Sequence, residues 1–212
     1  MLGALLSACV VGIITNFIKS NALGTKLVRY SAMGEQALDF MTKELSLALP
    51  STINIQKSPK GQTLTFRKIL YKGIMISEQT STIFPPSLIE SEEGIIYFPS
   101  ILKERTNFYT VKLTNEHHQG KIKIDNALTR LNFTPNLLFY VVSEPIQYEC
   151  AKQPKTLFRK SLSQPQSLLA HYIQNCEFSF EKPTENLLIS LELGDKITPS
   201  VHLVAPILLR EF

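Results

Sequence analysis

The chain has 212 residues, of which 44% are hydrophobic and 19% are charged, a composition that suits one globular domain plus an appendage. Its net charge of +4 is too small to indicate a nucleic-acid-binding protein, because such proteins usually present a strongly basic face. The three cysteines form no Cys-X-X-Cys motif, which argues against a thioredoxin-type redox site and against a zinc knuckle.

The first 49 residues contain no proline and therefore permit one long helix. Segment 1–18 is uncharged and apolar on every side, as in a membrane helix or a fully buried helix. Its large apolar side chains are Leu2, Leu5, Leu6, Val10, Val11, Ile13, Ile14, Phe17 and Ile18. Segment 19–49 continues the helix as an amphipathic one, and we expect its charged residues, among them Glu44, to lie away from the apolar stripe. The stripe should pack on the domain that follows; it consists of Leu23, Leu27, Tyr30, Ala37, Met41, Leu45 and Ala48.

After residue 49 the pattern changes to short alternating runs separated by loops rich in Pro, Ser and Asn. The alternation predicts strands at 51–57, 62–68, 69–77, 94–99, 108–114, 121–125, 137–142, 146–150, 176–181, 187–193 and 200–204. A second, short helix is expected around 165–175. The predicted fold class is therefore α+β, in which the long N-terminal helix packs on an antiparallel β-sheet domain formed by residues 50–212.

Histidines and common motifs give no indication of a catalytic, cofactor-binding or metal-binding site. His117 and His118 are adjacent, so their side chains would point in different directions, and a polar turn is the simpler interpretation. His171 and His202 are isolated in sequence. Since no nucleophile-elbow, metalloprotease, phosphate-loop or dinucleotide-binding motif occurs, we predict no enzyme activity.

A pair of cysteines and a basic cluster in the second half of the chain bear on the compartment and the partners of the protein. Cys150 and Cys176 could form a disulfide, which would suit an oxidising compartment such as the periplasm, and a reactive thiol is the alternative. The densest basic cluster is either a solvated face or a contact for a partner or lipid headgroups. It consists of Lys152, Lys155, Arg159 and Lys160.

The apolar start of the chain does not fit a standard targeting segment. Leu-Ser-Ala-Cys at 6–9 is similar to the lipobox of bacterial lipoproteins, but only eight residues, none of them basic, precede Cys9. The 18 uncharged residues are near the lower limit for a transmembrane helix. The first basic residues are Lys19, Lys26 and Arg29, and the positive-inside rule would then place the folded domain in the cytoplasm. That placement conflicts with a disulfide.

The order of these segments resembles type IV pilins and type II secretion pseudopilins, in which a helix that begins apolar and becomes amphipathic lies on an antiparallel β domain. Residues 37–55, ALDFMTKELSLALPSTINI, are similar to the end of that helix in minor pilins, with its Leu-Ala-Leu-Pro corner at Pro50. Segments 137–150 and 167–180 are similar to two successive strands in minor pilins of the mannose-sensitive haemagglutinin (MSHA) pilus. The matching positions are Pro145, Tyr148, Cys150, Leu168, Leu169, Ala170, Cys176, Phe178 and Phe180.

This resemblance implies a structural minor pilin, without enzyme activity or cofactor, that acts in assembly or at the tip of an MSHA-type pilus or a related secretion pseudopilus. The apolar helix would hold the chain in the inner membrane as a single-pass protein, with residues 50–212 as a periplasmic domain. The expected partners are other major and minor pilins, the inner membrane and the pilus assembly platform, and the subunit would enter a cell-surface pilus. The alternative is a membrane-anchored periplasmic binding module or a lipoprotein.

The sequence departs from the family at its beginning. Pilins start with a basic leader and a Phe-Thr-Leu-Ile-Glu-type segment, whereas this chain has no acidic residue before Glu35. Segment 1–17 resembles the second half of the family's hydrophobic helix. We therefore expect that the front of the helix is missing, either because the start codon is assigned too late or because the gene is degraded.

Overall fold

The computed structural model describes residues 2–75, 80–84, 93–99, 108–116, 121–124, 137–196 and 198–209. Within these residues one α-helix, α1 (Leu2–Leu45), precedes a 3-10 turn (Pro50–Thr52) and fourteen strands. The strands are β1 (Asn54–Ser58), β2 (Gly61–Phe66), β3 (Ile69–Met75), β4 (Thr80–Phe84), β5 (Glu93–Tyr97), β6 (Phe108–Glu116), β7 (Lys121–Ile124), β8 (Leu137–Val142), β9 (Ile146–Ala151), β10 (Thr156–Ser161), β11 (Ser167–His171), β12 (Ile173–Glu181), β13 (Asn186–Leu193) and β14 (Val201–Leu208).

Helix α1 is continuous over 44 residues, a length of about 66 Å at the rise of an α-helix. The long helix predicted from the absence of proline is thus present, and it ends five residues before Pro50. After the helix, the Ala48 N–H donates to the Leu45 carbonyl (2.9 Å). The Leu49 N–H then donates to the Arg67 carbonyl (2.8 Å), which ties the end of the helix to the chain that follows β2.

The described strands form three antiparallel sheets. The large sheet has the order β1-β2-β9-β10-β11, and the small sheet has the order β12-β13-β14. The other six strands, in the order β3-β4-β7-β6-β5-β8, close into a ring because β8 pairs with both β5 and β3. The strand ring follows β2 in the chain and returns to the large sheet at β9, so it is an insertion between two strands that pair with each other.

The main core lies where the second half of α1 meets the large and small sheets. Its largest fully buried members are Met41, Leu45, Leu64, Phe66, Tyr148 and Phe178. At Gly34 the helix approaches the small sheet so closely that an added methyl group would lie 2.8 Å from a methyl carbon of Leu193. The glycine therefore permits the close contact between helix and sheet.

The predicted α+β arrangement, with the helix packed on an antiparallel sheet domain, is wrong. The structure is mostly antiparallel β, with three sheets, and α1 contacts β11 of the large sheet as well as β13 and β14 of the small sheet. From Tyr30 to Ala48 the apolar stripe of the helix packs between two sheets, whereas Leu23, predicted to pack on the domain, is exposed. Alternation along each strand predicts a buried face, but it contains no information about which strands share a sheet.

The short helix expected around 165–175 is also wrong, because this segment forms β11 and the beginning of β12. Strand β11 pairs with β10, a strand that the sequence interpretation omitted, and Ala170 lies opposite Leu157. The Leu-Leu-Ala sequence favours a helix locally, and pairing with a preceding strand overrides that preference.

The predicted location as a single-pass inner-membrane protein with a periplasmic domain is wrong as well. Among the described residues, no helix has an apolar stretch long enough to cross a membrane. The apolar run of α1 is diluted by Thr15 and Asn16 and is followed by Lys19.

Candidate functional site: an exposed helix held by a buried anchor

The first half of α1 extends away from the domain, and no other described part of the chain buries any of residues 10–26. Every residue from Val10 to Lys26 is exposed, including uncharged, strongly apolar ones. The exposed fractions are 51% for Val10, 60% for Val11, 69% for Ile13, 52% for Ile14, 65% for Phe17 and 61% for Ile18. The helix also contains Leu2, Leu5 and Leu6, whose side chains lie outside the described part of the chain. We call residues 10–18 the apolar half-helix.

Among the described side chains of the helix, the first buried one is Tyr30, which is only 3% exposed. The Tyr30 hydroxyl and the Lys26 ammonium both donate to one oxygen of Asp195, each at 3.0 Å. The other oxygen of Asp195 accepts the backbone N–H of Thr198 at 2.7 Å. This carboxylate thus ties the helix to the chain after β13 where the exposed part ends.

The far end of the helix is fixed by a buried cluster of charged and polar side chains, which we call the Glu44 anchor. Arg159 on β10 donates to both carboxylate oxygens of Glu44, from Nε and Nη2, each at 2.8 Å. The Tyr148 hydroxyl of β9 donates to Oε2 at 2.5 Å, and Lys68 Nζ lies 3.0 Å from Oε1. Since Glu44 and Arg159 are each 8% exposed, this is a buried, bidentate ion pair.

The charges of the anchor stabilise one another. Burial alone would raise the pKa of the Glu44 carboxyl, but hydrogen bonds from Arg159, Tyr148 and Lys68 outweigh burial and lower that pKa to about 2. Burial and the bond to Glu44 raise the pKa of the Tyr148 hydroxyl. The bond to Glu44 also raises the pKa of the Arg159 guanidinium. At neutral pH the anchor therefore contains an ionised Glu44 carboxylate, a positively charged Arg159 guanidinium and a protonated Tyr148 phenol.

The anchor makes stability depend on pH in acid. The folded pKa of Glu44, about 2, lies below its ordinary value of 4.5, so its contribution is complete above pH 4.5 and is lost as the pH falls towards 2. We expect the stability advantage of the native chain over Glu44→Gln to shrink by about 2 kcal/mol between pH 7 and pH 3. Urea unfolding of both proteins at the two pH values measures this difference. An advantage that is equal at both values would contradict the assignment.

The large and small sheets are joined by two adjacent links. The Gln62 amide of β2 acts like a neighbouring strand, because it donates to the Phe178 carbonyl and accepts the Phe178 N–H, each at 2.9 Å. Cys150 is in register with Gln62 and lies at disulfide distance from Cys176, with their Cα atoms 6.0 Å apart. The structure thus brings together the two cysteines that the sequence interpretation paired.

The family-motif positions serve mainly as core residues. Pro50, Tyr148, Ala170 and Phe178 are buried, Pro145, Leu169 and Phe180 are half-buried, and Leu168 is 43% exposed. His202 is exposed and its Nε2 lies 2.8 Å from the Ser190 hydroxyl, whereas His171 is exposed on β11. His117 and His118 lie outside the described residues.

Sequence reasoning missed the anchor. In the sequence Arg159 belongs to a basic cluster with three lysines that are exposed or half-exposed, yet Arg159 itself is buried. The prediction that Glu44 lies away from the apolar stripe is wrong, because Glu44 is buried; it lies three residues after Met41 and four before Ala48, both buried. That spacing was the available signal, because it places Glu44 on the buried face. For Gln62, which lies in an alternating strand, no pattern in the sequence indicates that its side chain bonds the backbone of Phe178.

Comparison with known proteins does not extend this description. No family model, curated protein or solved structure matches this chain.

Proposed function

We propose that this chain is a structural, pilin-like subunit that assembles through its apolar half-helix into the core of a filament. The observation that carries the proposal is the contrast within α1. Residues 10–18 are apolar and exposed, whereas the same helix is fixed to the domain from Tyr30 to Leu45. A rigid attachment of this kind suits a helix that must present a surface at a defined angle.

The energetics favour a partner for the half-helix. Burying one large apolar side chain contributes about 1.5–3 kcal/mol, and the half-helix exposes six of them, which the helical period places along one side. A contiguous exposed apolar surface of this kind marks an interaction site. A second copy supplies an equally apolar helix, so side-by-side packing of helices satisfies both chains while the β domains face outward.

The buried charges support a structural function for the domain. The Glu44 carboxylate accepts hydrogen bonds from Arg159 and Tyr148 and forms an ion pair with Lys68, so both of its oxygens are engaged within the fold. The resulting cluster fixes the helix to β9 and β10. Together with the resemblance to minor pilins, this supports a subunit of a type IV pilus of the MSHA kind or of a secretion pseudopilus, with other major and minor pilins and the pilus assembly platform as its partners.

Charges placed in the half-helix should prevent assembly. We expect the full chain to form filaments of uniform width, and the double variant Ile13→Glu/Phe17→Glu to stay monomeric, because four or more carboxylates would then approach one another in a packed helix bundle. Sedimentation velocity measures the oligomeric state, and negative-stain electron microscopy distinguishes filaments from amorphous aggregates.

The matched control is Asn21→Glu/Thr25→Glu, which adds the same charge on exposed polar positions of the same helix. It should assemble like the native chain. A native chain that stays monomeric, or an Ile13→Glu/Phe17→Glu variant that forms the same filaments, would overturn the proposal. Expression together with a complete type IV pilus system tests the pilin assignment itself, since a subunit should then appear in the sheared pilus fraction.

A further inference from the structure

A groove lies beside the point where the helix leaves the domain. The turn between β9 and β10, the junction of β11 and β12, and the chain after β13 meet there around an open volume of about 390 Å3. The lining residues relevant to binding are Lys155, His171, Tyr172, Gln174 and Lys196. Neither the assembly of the helix nor the stability of the core requires such a groove.

Tyr172 is held in this groove in a conformation that is normally left to glycine. Its φ is 60°, a region that a bulky residue enters only at a cost. The Gly194 N–H donates to the Tyr172 carbonyl at 2.9 Å, and Gln174 Nε2 donates to the Gly194 carbonyl at 2.7 Å, so the junction is fixed from both sides. The side chain is 44% exposed, and its ring centroid lies 5.4 Å from that of Tyr30. An aromatic platform is thus presented to the groove from a fixed backbone.

The charges around the platform favour an anion. The negative charge of Asp195 is offset by Lys26, and its oxygens also accept hydrogen bonds from the Tyr30 hydroxyl and the Thr198 N–H. Lys155 and Lys196 are both exposed in the groove, and Lys155 bonds the neutral side chain of Gln174. Two positive charges beside an aromatic face therefore remain available to a ligand.

We infer that this groove binds an acidic saccharide. A sugar ring would stack on the exposed face of Tyr172, its carboxylate would pair with Lys155 and Lys196, and the exposed His171 would hydrogen-bond a hydroxyl. An open groove with one aromatic platform suits one ring of a longer chain better than a fully enclosed small molecule. The inference does not depend on filament assembly, because all these residues belong to the β domain.

Titration calorimetry of the full chain with an oligogalacturonate, a chain of galacturonic acid residues, tests this site. We expect saturable binding that a neutral maltooligosaccharide does not reproduce. Lys155→Gln/Lys196→Gln should weaken the affinity at least tenfold. Tyr172→Gly should do the same with little loss of thermal stability, because glycine adopts a φ of 60° without strain.

The matched control is Lys43→Gln/Lys182→Gln, which removes two exposed lysines outside the groove and should leave the affinity unchanged. Equal weakening in this control would show general electrostatic attraction and overturn the inference. Absence of binding at millimolar ligand, equal binding of the neutral saccharide, or unchanged affinity in Tyr172→Gly would also overturn it. If Tyr172→Gly lowers stability and leaves affinity unchanged, the ring only packs on Tyr30.

Discussion

Replacement of Glu44 by alanine should lower the free energy of unfolding by about 3–5 kcal/mol, because it leaves Arg159 buried without its counter-charge. The loss should be this large because the carboxylate accepts hydrogen bonds from both Arg159 and Tyr148. Urea unfolding followed by circular dichroism measures the change. The control is Glu35→Ala, which removes an exposed carboxylate from the same helix and should change stability by less than about 0.5 kcal/mol.

A double variant distinguishes the net contribution of the Glu44–Arg159 ion pair to stability from the loss of stability that follows when one charge is left unpaired. Glu44→Leu/Arg159→Leu removes both buried charges, so it should be more stable than either single variant even though it deletes the same bonds. The hydroxyl of Tyr148 would lose its acceptor and limit the recovery. If the two single losses simply added in the double variant, Glu44 and Arg159 would act independently, and the anchor described here would not exist in solution.

Gly61→Ala should destabilise the domain by about 3 kcal/mol or more, because a side chain at this position is unfavourable in two ways. The φ of Gly61 is +151°, a conformation that L side chains rarely adopt. A methyl group there would also overlap the carbonyl oxygen of Cys150, which belongs to the backbone and cannot move aside independently. Thermal unfolding and urea unfolding both report the loss.

Gly24→Ala is the matched control, because nothing lies within 4 Å of a methyl group at that exposed helical position. Alanine favours the helix over glycine by about 0.5–1 kcal/mol, so this variant should be neutral or slightly more stable. Since Gly61 opens the strand that carries Gln62, its replacement should also weaken the link to Phe178. A stable Gly61→Ala protein would show that the β2–β9 pairing differs in solution.

The sequence predicted those elements whose signals are local. A proline-free stretch indicated a helix, and the chain forms one over Leu2–Leu45. Alternation at 187–193 indicated a strand, and β13 (Asn186–Leu193) has every second side chain buried. The division of α1 was also visible, since an uncharged half and an amphipathic half differ in composition alone. The exposure of the half-helix and the burial of Tyr30 follow that division.

The same local signals failed where distant segments compete. Residues 165–175 appeared helical by composition and became β11 and β12, because β10 offered a partner for pairing. Pro206 lies in the outer strand β14, beyond the predicted strand end at 204. Proline is compatible with an edge strand because its missing N–H can face away from the sheet, but only the sheet order reveals that β14 is at an edge.

The sequence by itself determined a long two-part helix, a β-rich remainder and a pair of cysteines suited to a link between strands. Only the tertiary structure decided that the strands divide into three sheets, that the helix fits between two of them, and that Glu44 meets Arg159 across 115 positions of chain. The physical reason is the distance along the chain over which each interaction acts. Periodicity and proline content act through neighbouring residues, whereas the partner of a buried charge or of a strand edge is chosen by contacts between segments far apart in the chain.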